Sequence, residues 1–257
     1  MTEQRTVAVI QARTGSTRLP GKVLADIEGE PLLAWTIRGV QAIPGLAAIV
    51  VATTTDPTDD DLARLADGFG VAVHRGPIRD VLTRCHDAVA PFRPDVVVRQ
   101  TADDPFPDPA VADAQVRHLR EAGLDYVGIE GWPLGIAAEA CRMAAFDEAA
   151  AEATDPADRE HVMPFLYRQP DRYRIGALPR VPAGGPALSD ARYTVDTEAD
   201  LAFARALAAR LRHGPPVALR ELEDLLEHEP ELRQLNAGVE QRSHREAQAT
   251  GGSTWTS

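Results

Sequence analysis

A chain of 257 residues, 44% of them hydrophobic and 26% charged, can bury one sizeable core, or one core with an excursion. A net charge of −12 argues against a general nucleic-acid binder, which carries a basic face. It leaves room for a local cationic pocket that takes a small anion.

No apolar run reaches the roughly 18 residues that a membrane helix needs. The two cysteines, Cys85 and Cys141, form neither a CxxC pair nor a zinc spacing, and they read as reduced thiols. The stretch MTEQRTVAVI passes directly into an apolar strand and lacks the shape of a signal peptide. A cytoplasmic protein with no membrane or nucleic-acid partner is expected.

In chain order, TVAVIQ (6–11), AAIVVAT (47–53), VAVHR (71–75) and DVVVRQ (95–100) read as strands. Their near-continuous Val, Ile and Ala suit strands covered on both faces, as in a parallel sheet. Amphipathic stretches at 32–43, 59–70, 78–92 and 109–123 alternate with them as helices. Pro109 suits a first helical turn and Gly123 a helix end. This alternation predicts an α/β fold, a doubly wound and mostly parallel sheet. Ligands of such sheets sit outside the carboxyl ends of the strands. That rule gathers QARTGSTRLPGK, TTTDPTDD and QTADDPFPDP at one crevice.

The second half is less regular. DYVGI (125–129), RYRIGAL (172–178) and ARYTVD (191–196) read as strands. Helices are expected at 139–153, 159–169, 198–211 and 218–229. A single domain over 1–241 is expected, with acceptor-binding and dimerisation segments within 125–195. A disordered tail over 242–257 completes the reading.

QARTGSTRLPGK (11–22) carries the chemistry. It fails the P-loop pattern twice: Gly15 and Gly21 enclose five residues, and Val23 follows the lysine where a hydroxyl is needed. No GxGxxG follows the first strand. What remains is a longer, more cationic loop. Gly15 permits close backbone approach, Ser16 and Thr17 add donors, and Arg13, Arg18 and Lys22 supply charge for a polyphosphate. Lys22 is the only lysine in the chain. A GC-rich coding bias explains the lysines that are missing, not the one that remains.

The loop resembles the signature of the cytidylyltransferases that activate sugar acids, such as CMP-Kdo and CMP-sialate synthetases. It is most similar to their relatives in spore-coat polysaccharide synthesis, which share GSTRLPGK. VVATTTDPTDD, HRGPIRDVLTR, VVVRQTADDPFPDP, ATDPADREHVMPFLYRQPDRY, LSDARYTVDTEADL and LLEHEPELRQLNAGVEQR resemble further blocks of the family, in the same order. The likeness spans about residues 6–241 and implies the nucleotide-diphosphosugar transferase (GT-A-like) fold.

The resemblance implies that Arg13, Ser16, Arg18 and Lys22 hold the triphosphate of CTP, with Arg13, Lys22 and Asp103 catalytic. The implied nucleotide site adds Gln11, Ala12, Gly15, Thr53, Asp80 and Thr101. Asp103 and Asp196 are the implied ligands of Mg2+ or another divalent cation. Gln100, Glu139, Arg159 and His161 are the implied acceptor residues.

Plainer readings stand beside several of these. Asp103 also reads as a turn residue, Asp196 as a helix cap, Asp80 with Arg84 as an i,i+4 pair, and His161 as a structural histidine. Where relatives carry an acid, Ala137 or Ala138 stands here, which changes the polarity of the acceptor pocket.

The implied reaction joins CMP from CTP to a sugar acid, a sugar, or a phosphonate or phosphate acid, and releases pyrophosphate. The implied assembly is a homodimer. A GT-A-type glycosyltransferase and a catalytically inactive nucleotide-binding protein are the alternatives. Replacing Lys22 with Ala is expected to keep the fold and lose turnover, by about 10²–10³-fold.

Overall fold

A computed structural model of the chain describes residues 4–178 and 190–240. The tail expected from 242 onward, and most of the loop 179–190, lie outside the described residues.

The first strand, β1 (Thr6–Gln11), runs through the middle of a seven-stranded sheet. Val7 and Val9 face one side and Ala8 and Ile10 the other, all fully buried. Burial on both faces is what the unbroken apolar run dictates, and each such Val or Ile contributes about 1.5–3 kcal/mol. Parallel to it lie β4 (Leu46–Thr54) on one flank and β6 (Val96–Thr101) on the other, with β5 (Ala72–Gly76) outside β4.

Helices cover both faces. One layer holds α1 (Leu32–Gln41), α2 (Asp60–Gly68) and α4 (Pro109–Glu121), packed on Ala8, Ile10, Val51 and Val98. In α4, Asp108 caps the first turn by accepting from Ala110 N (2.8 Å), with Pro109 at the first helical position. The opposite layer begins with α3 (Val81–Val89). A short hairpin, β2 (Asp26–Ile27) and β3 (Glu30–Pro31), precedes α1 and was absent from the sequence reading.

The second half departs from the expectation in three places. Residues 139–142 of the expected helix 139–153 form β8 (Glu139–Arg142), and only α5 (Met143–Glu152) is helical. β8 runs antiparallel between β6 and β7 (Tyr126–Gly128), with β9 (Ile175–Ala177) outermost. The pairing of Glu139 with Arg99 across the ladder fixes this strand, a tertiary contact that helix propensity does not report.

The expected helix 159–169 is two short ones, α6 (Pro156–His161) and α7 (Pro164–Tyr167). Pro164 cannot lie inside a helix, and Val162 adopts a left-handed φ of 76° between the two. Residues 191–196 join no sheet among the described residues, and the chain bends at Thr194. Their backbone bonds go to loops instead: Tyr193 N to Leu134 O and Val195 N to Asp103 O, both 2.8 Å. Finally α8 (Glu198–Ala208) and α9 (Leu219–His228) form a third apolar cluster with Leu19, Trp35, Phe106 and Tyr193. This cluster ties the carboxyl-terminal segment to the loop after β1.

Candidate active site

The loop after β1 is folded on itself and on its neighbour. Thr14 O accepts from Ser16 N (2.8 Å) and Gly21 N (2.9 Å), which closes the loop. Gly21 takes a left-handed φ of 72° and turns the chain so that Lys22 passes beneath it. Buried Asp59 anchors the other edge. Its Oδ1 accepts from Thr14 N (2.8 Å) and Thr14 Oγ1 (2.6 Å), and Oδ2 accepts from Thr54. Burial alone would raise the Asp59 carboxyl, but these bonds hold it below the usual carboxylate range.

Lys22 is 7% exposed. Its ammonium donates to Asp103 Oδ2 (2.6 Å), Val195 O (2.8 Å) and Asp196 Oδ1 (2.8 Å), so all three donors are engaged. Burial alone would lower its pKa; Asp103 and Asp196 outweigh that and raise it. Arg18 reaches the same Asp196 Oδ1 at 2.7 Å, and Arg192 donates to Asp196 Oδ2. Burial works to raise the Asp196 carboxyl, and the three cations hold it below its ordinary value.

Asp104, next to Asp103, points inward. Its Oδ2 accepts from Gln100 Nε2 (2.8 Å) and Thr101 Oγ1 (2.6 Å). Burial, with the neighbouring Asp103 charge, pushes it up to about 7.

The structure thus brings Arg18, Lys22, Asp103 and Asp196 into one cluster at the strand ends. Arg13 is exposed on the same loop, with no ion-pair partner among the described residues. Ser16 is half-buried and accepts from Leu19 N (3.3 Å), and open space lies where a Cβ on Gly15 would be. Ala12 is buried against β4, its N–H bonded to Ala52 O (3.1 Å), and Thr53 is buried at the end of β4. Gln11 turns away from the loop, its Oε1 accepting from Arg99 Nη2 (2.6 Å). Asp80 caps α3 through Thr83 N (2.9 Å). Arg84 is fully buried and clamps the carbonyls of Pro77 (2.6 Å) and Ile78 (3.2 Å).

The four implied acceptor residues divide between the two faces of the sheet. Glu139 pairs with Arg99 on the α3 face and accepts from Tyr126 OH (2.6 Å). Arg159, on α6, lies on that face too, donating to Thr83 Oγ1 (3.1 Å) with Asp80 Oδ2 at 3.5 Å. His161 ends α6. Gln100, one residue after Arg99, follows Val96 and Val98 to the opposite face and joins Asp104.

The sequence reading missed four supporting residues: Asp59, Arg99, Arg192 and Asn236. Arg99 had a signal, since a guanidinium inside an apolar strand needs a buried partner. The other three meet residues remote in sequence or not held in a helix, and nothing local announces them.

A sequence profile described as "Cytidylyltransferase" matches residues 7–244. The chain belongs to the cytidylyltransferase family. It is similar to the spore coat polysaccharide biosynthesis protein SpsF of Bacillus subtilis, at 33% identity over 87% of this chain and 94% of that one. A solved cytidylyltransferase from Leptospira borgpetersenii serovar Hardjo-bovis superposes with a TM-score of 0.83 at 23% identity, covering 94% of this chain and 100% of that one. CMP:2-keto-3-deoxy-manno-octonic acid synthetase, solved with CTP, superposes with a TM-score of 0.61 at 21% identity, covering 80% and 99%. The cytidylyltransferase is therefore an enzyme of the nucleotidyltransferase class, and its mostly parallel sheet is the one these structures share. No described helix is long and apolar enough to cross a membrane.

Proposed function

We propose that this cytidylyltransferase transfers CMP from CTP to a small acidic or sugar acceptor and releases pyrophosphate. The observation that carries the reading is the cluster of Arg18, Lys22, Asp103 and Asp196, closed over the carboxyl end of β1. The acceptor oxygen attacks the α-phosphorus in line. The bond from that phosphorus to the bridging oxygen breaks, and its electron pair leaves on pyrophosphate. A phosphate or phosphonate oxyanion brings no proton to remove, whereas a sugar hydroxyl releases its proton to solvent as the new bond forms; in both cases positioning and charge neutralisation carry the step.

Arg13, exposed at the loop, and Arg18 meet the phosphates first. Lys22 lies beneath as a fixed point charge.

The charge balance supports a divalent cation. Lys22, Arg18 and Arg192 are matched by Asp103, Asp196 and Asp200, three against three, which leaves little positive charge for a triphosphate beyond Arg13. Among the described residues no three His, Cys, Asp or Glu side chains gather into a metal cluster. Magnesium, however, is commonly held by one or two carboxylates and completes its shell with water and phosphate. Asp103 and Asp196 offer that kind of donor, although Lys22 lies on both and Arg18 and Arg192 on Asp196, so a metal there would share or displace these cations. Magnesium bound by these two carboxylates would neutralise phosphate charge.

Pyrophosphate release, measured with each of the four nucleoside triphosphates against a panel of sugar acids, sugars and phosphonates, tests the reading. CTP is expected to be preferred, with release dependent on magnesium. No release from any triphosphate, together with cleavage of a nucleotide-sugar, would overturn it.

A further inference from the structure

We infer that Asn236, far beyond the strands that build the crevice, is a positioning residue for Asp196, and that the carboxyl-terminal segment is a working part of the nucleotide site. This rests on the cytidylyl-transfer reading above. Asn236 is 7% exposed and follows the 3-10 turn Pro230–Leu235. Its amide nitrogen donates to Arg192 O (3.0 Å) and to Asp200 Oδ1 (3.1 Å), so both amide hydrogens are spent on this pair.

Asp200 is the hub. Its Oδ2 accepts from Asp196 N, Thr197 N and Thr197 Oγ1, each at 3.0 Å, and its Oδ1 accepts from Arg192 Nε, also at 3.0 Å. Arg192 then donates from Nη2 to Asp196 Oδ2. Asn236 therefore holds Arg192 at both ends, directly at its carbonyl and through Asp200 at its guanidinium.

A guanidinium beside a carboxylate ordinarily takes it with two parallel N–H bonds. Here Arg192 divides its fork between two carboxylates, and its buried Nη1 has no partner among the described residues. Such a one-armed pose leaves a buried donor unsatisfied and persists only where neighbours impose it. The result is a fixed rotation of the Asp196 carboxylate. Oδ2 turns to Arg192, and Oδ1 is presented to Arg18 and Lys22 of the loop. Without the Asn236 amide, Arg192 is free to take Asp200 with both arms. Asp196 then turns, and the two loop cations lose their register.

Asn236→Leu removes the amide at similar volume. Calorimetric titration with CTP and steady-state kinetics read the result. The expected outcome is a CTP Kd and KM raised about tenfold, the scale on which supporting-residue changes act, with the acceptor KM unchanged. A CTP KM equal to wild type, with kcat lowered only by the unfolded fraction, overturns the inference. Tyr193→Phe cuts a different buried tie to α9, from Tyr193 OH to Glu223 (2.9 Å). It is expected to lower the melting temperature and leave CTP KM in place; a parallel rise there would mean general loosening and would also overturn the inference. If Asn236→Leu does not fold, Asn236→Ser puts the same question with the same two outcomes. A wild-type protein that binds no CTP would instead indict the cytidylyl-transfer reading itself.

Discussion

Two buried arginine–carboxylate nodes lie at the crevice, one on each side of the sheet, and they are assembled differently. The Arg99 node takes Gln11 from β1, Arg99 from β6, Glu139 from β8 and Tyr126 from β7. Arg99 and Glu139 are register partners, so the ladder itself delivers one to the other. The Lys22 node draws on the loop at 18–22, on Asp103 and on Arg192, Val195 and Asp196, with Asn236 behind them. No ladder joins these segments. The first node is a by-product of strand pairing and belongs to the framework. The second exists only because ion pairs hold separate loops together, which is how a site that must meet a ligand is built.

The sharpest way to break this contrast is to remove each node's central charge. Lys22→Ala is expected to lower turnover about 10²–10³-fold, since a donor aimed at developing phosphate charge is lost. The structure also changes the expectation that the fold would be untouched. Two carboxylates lose a buried partner, a change that costs about 3–5 kcal/mol, so urea denaturation should register it. Undiminished turnover would remove Lys22 from the mechanism.

Glu139→Ala strikes the other node and leaves the Arg99 guanidinium uncompensated. A stability loss of about 3 kcal/mol is expected, with CTP KM unchanged. A raised CTP KM would show that the framework node also addresses the nucleotide.

Gly135→Ala asks how the loop segments are kept together. Gly135 has a φ of +93°, and a Cβ there would lie 2.6 Å from Thr194 N and 2.7 Å from the Tyr193 carbonyl carbon. Both are backbone and cannot swing aside. A loss of about 1–3 kcal/mol is expected, together with weaker CTP binding, because the displaced run 193–196 carries Asp196. Unaltered stability in thermal melts would mean that this close approach is slack.

The same contrast explains what was readable from residues alone. The four parallel strands and their helices follow from apolar runs and caps such as Asp108-Pro109, because periodicity reports burial directly. EACR carries no alternation that distinguishes strand from helix, so it reads as helix; the identity of β8 lies in Arg99, forty residues earlier. The run 191–196 reads as a strand from its β-rich composition, yet its backbone bonds go singly to Leu134, Asp103, Lys22, Asp200 and Asn236. The lone lysine and the acidic pair at 103–104 were visible as oddities. That one ammonium would lie between Asp103 and Asp196 was not, since it depends on how three distant loops dock.

The smallest effect expected is on Asp59, which ties the loop after β1 to the end of β4 without touching either node's charges. Its carboxyl is held below the ordinary value by Thr14 and Thr54 despite burial. The folded state therefore favours the carboxylate. Between the folded and unfolded pKa values the unfolded chain binds the extra proton, so stability rises with pH there and reaches its full contribution above the unfolded value. That contribution fades as pH falls through the lowered folded value. Asp59→Asn is expected to melt below wild type at neutral pH, and the gap should close in acid; melting curves between pH 7 and pH 3 provide the check. A gap that is constant with pH would mean that Asp59 holds Thr14 by shape rather than by charge, and the loop's anchor would then resemble the framework node more than the ionic one.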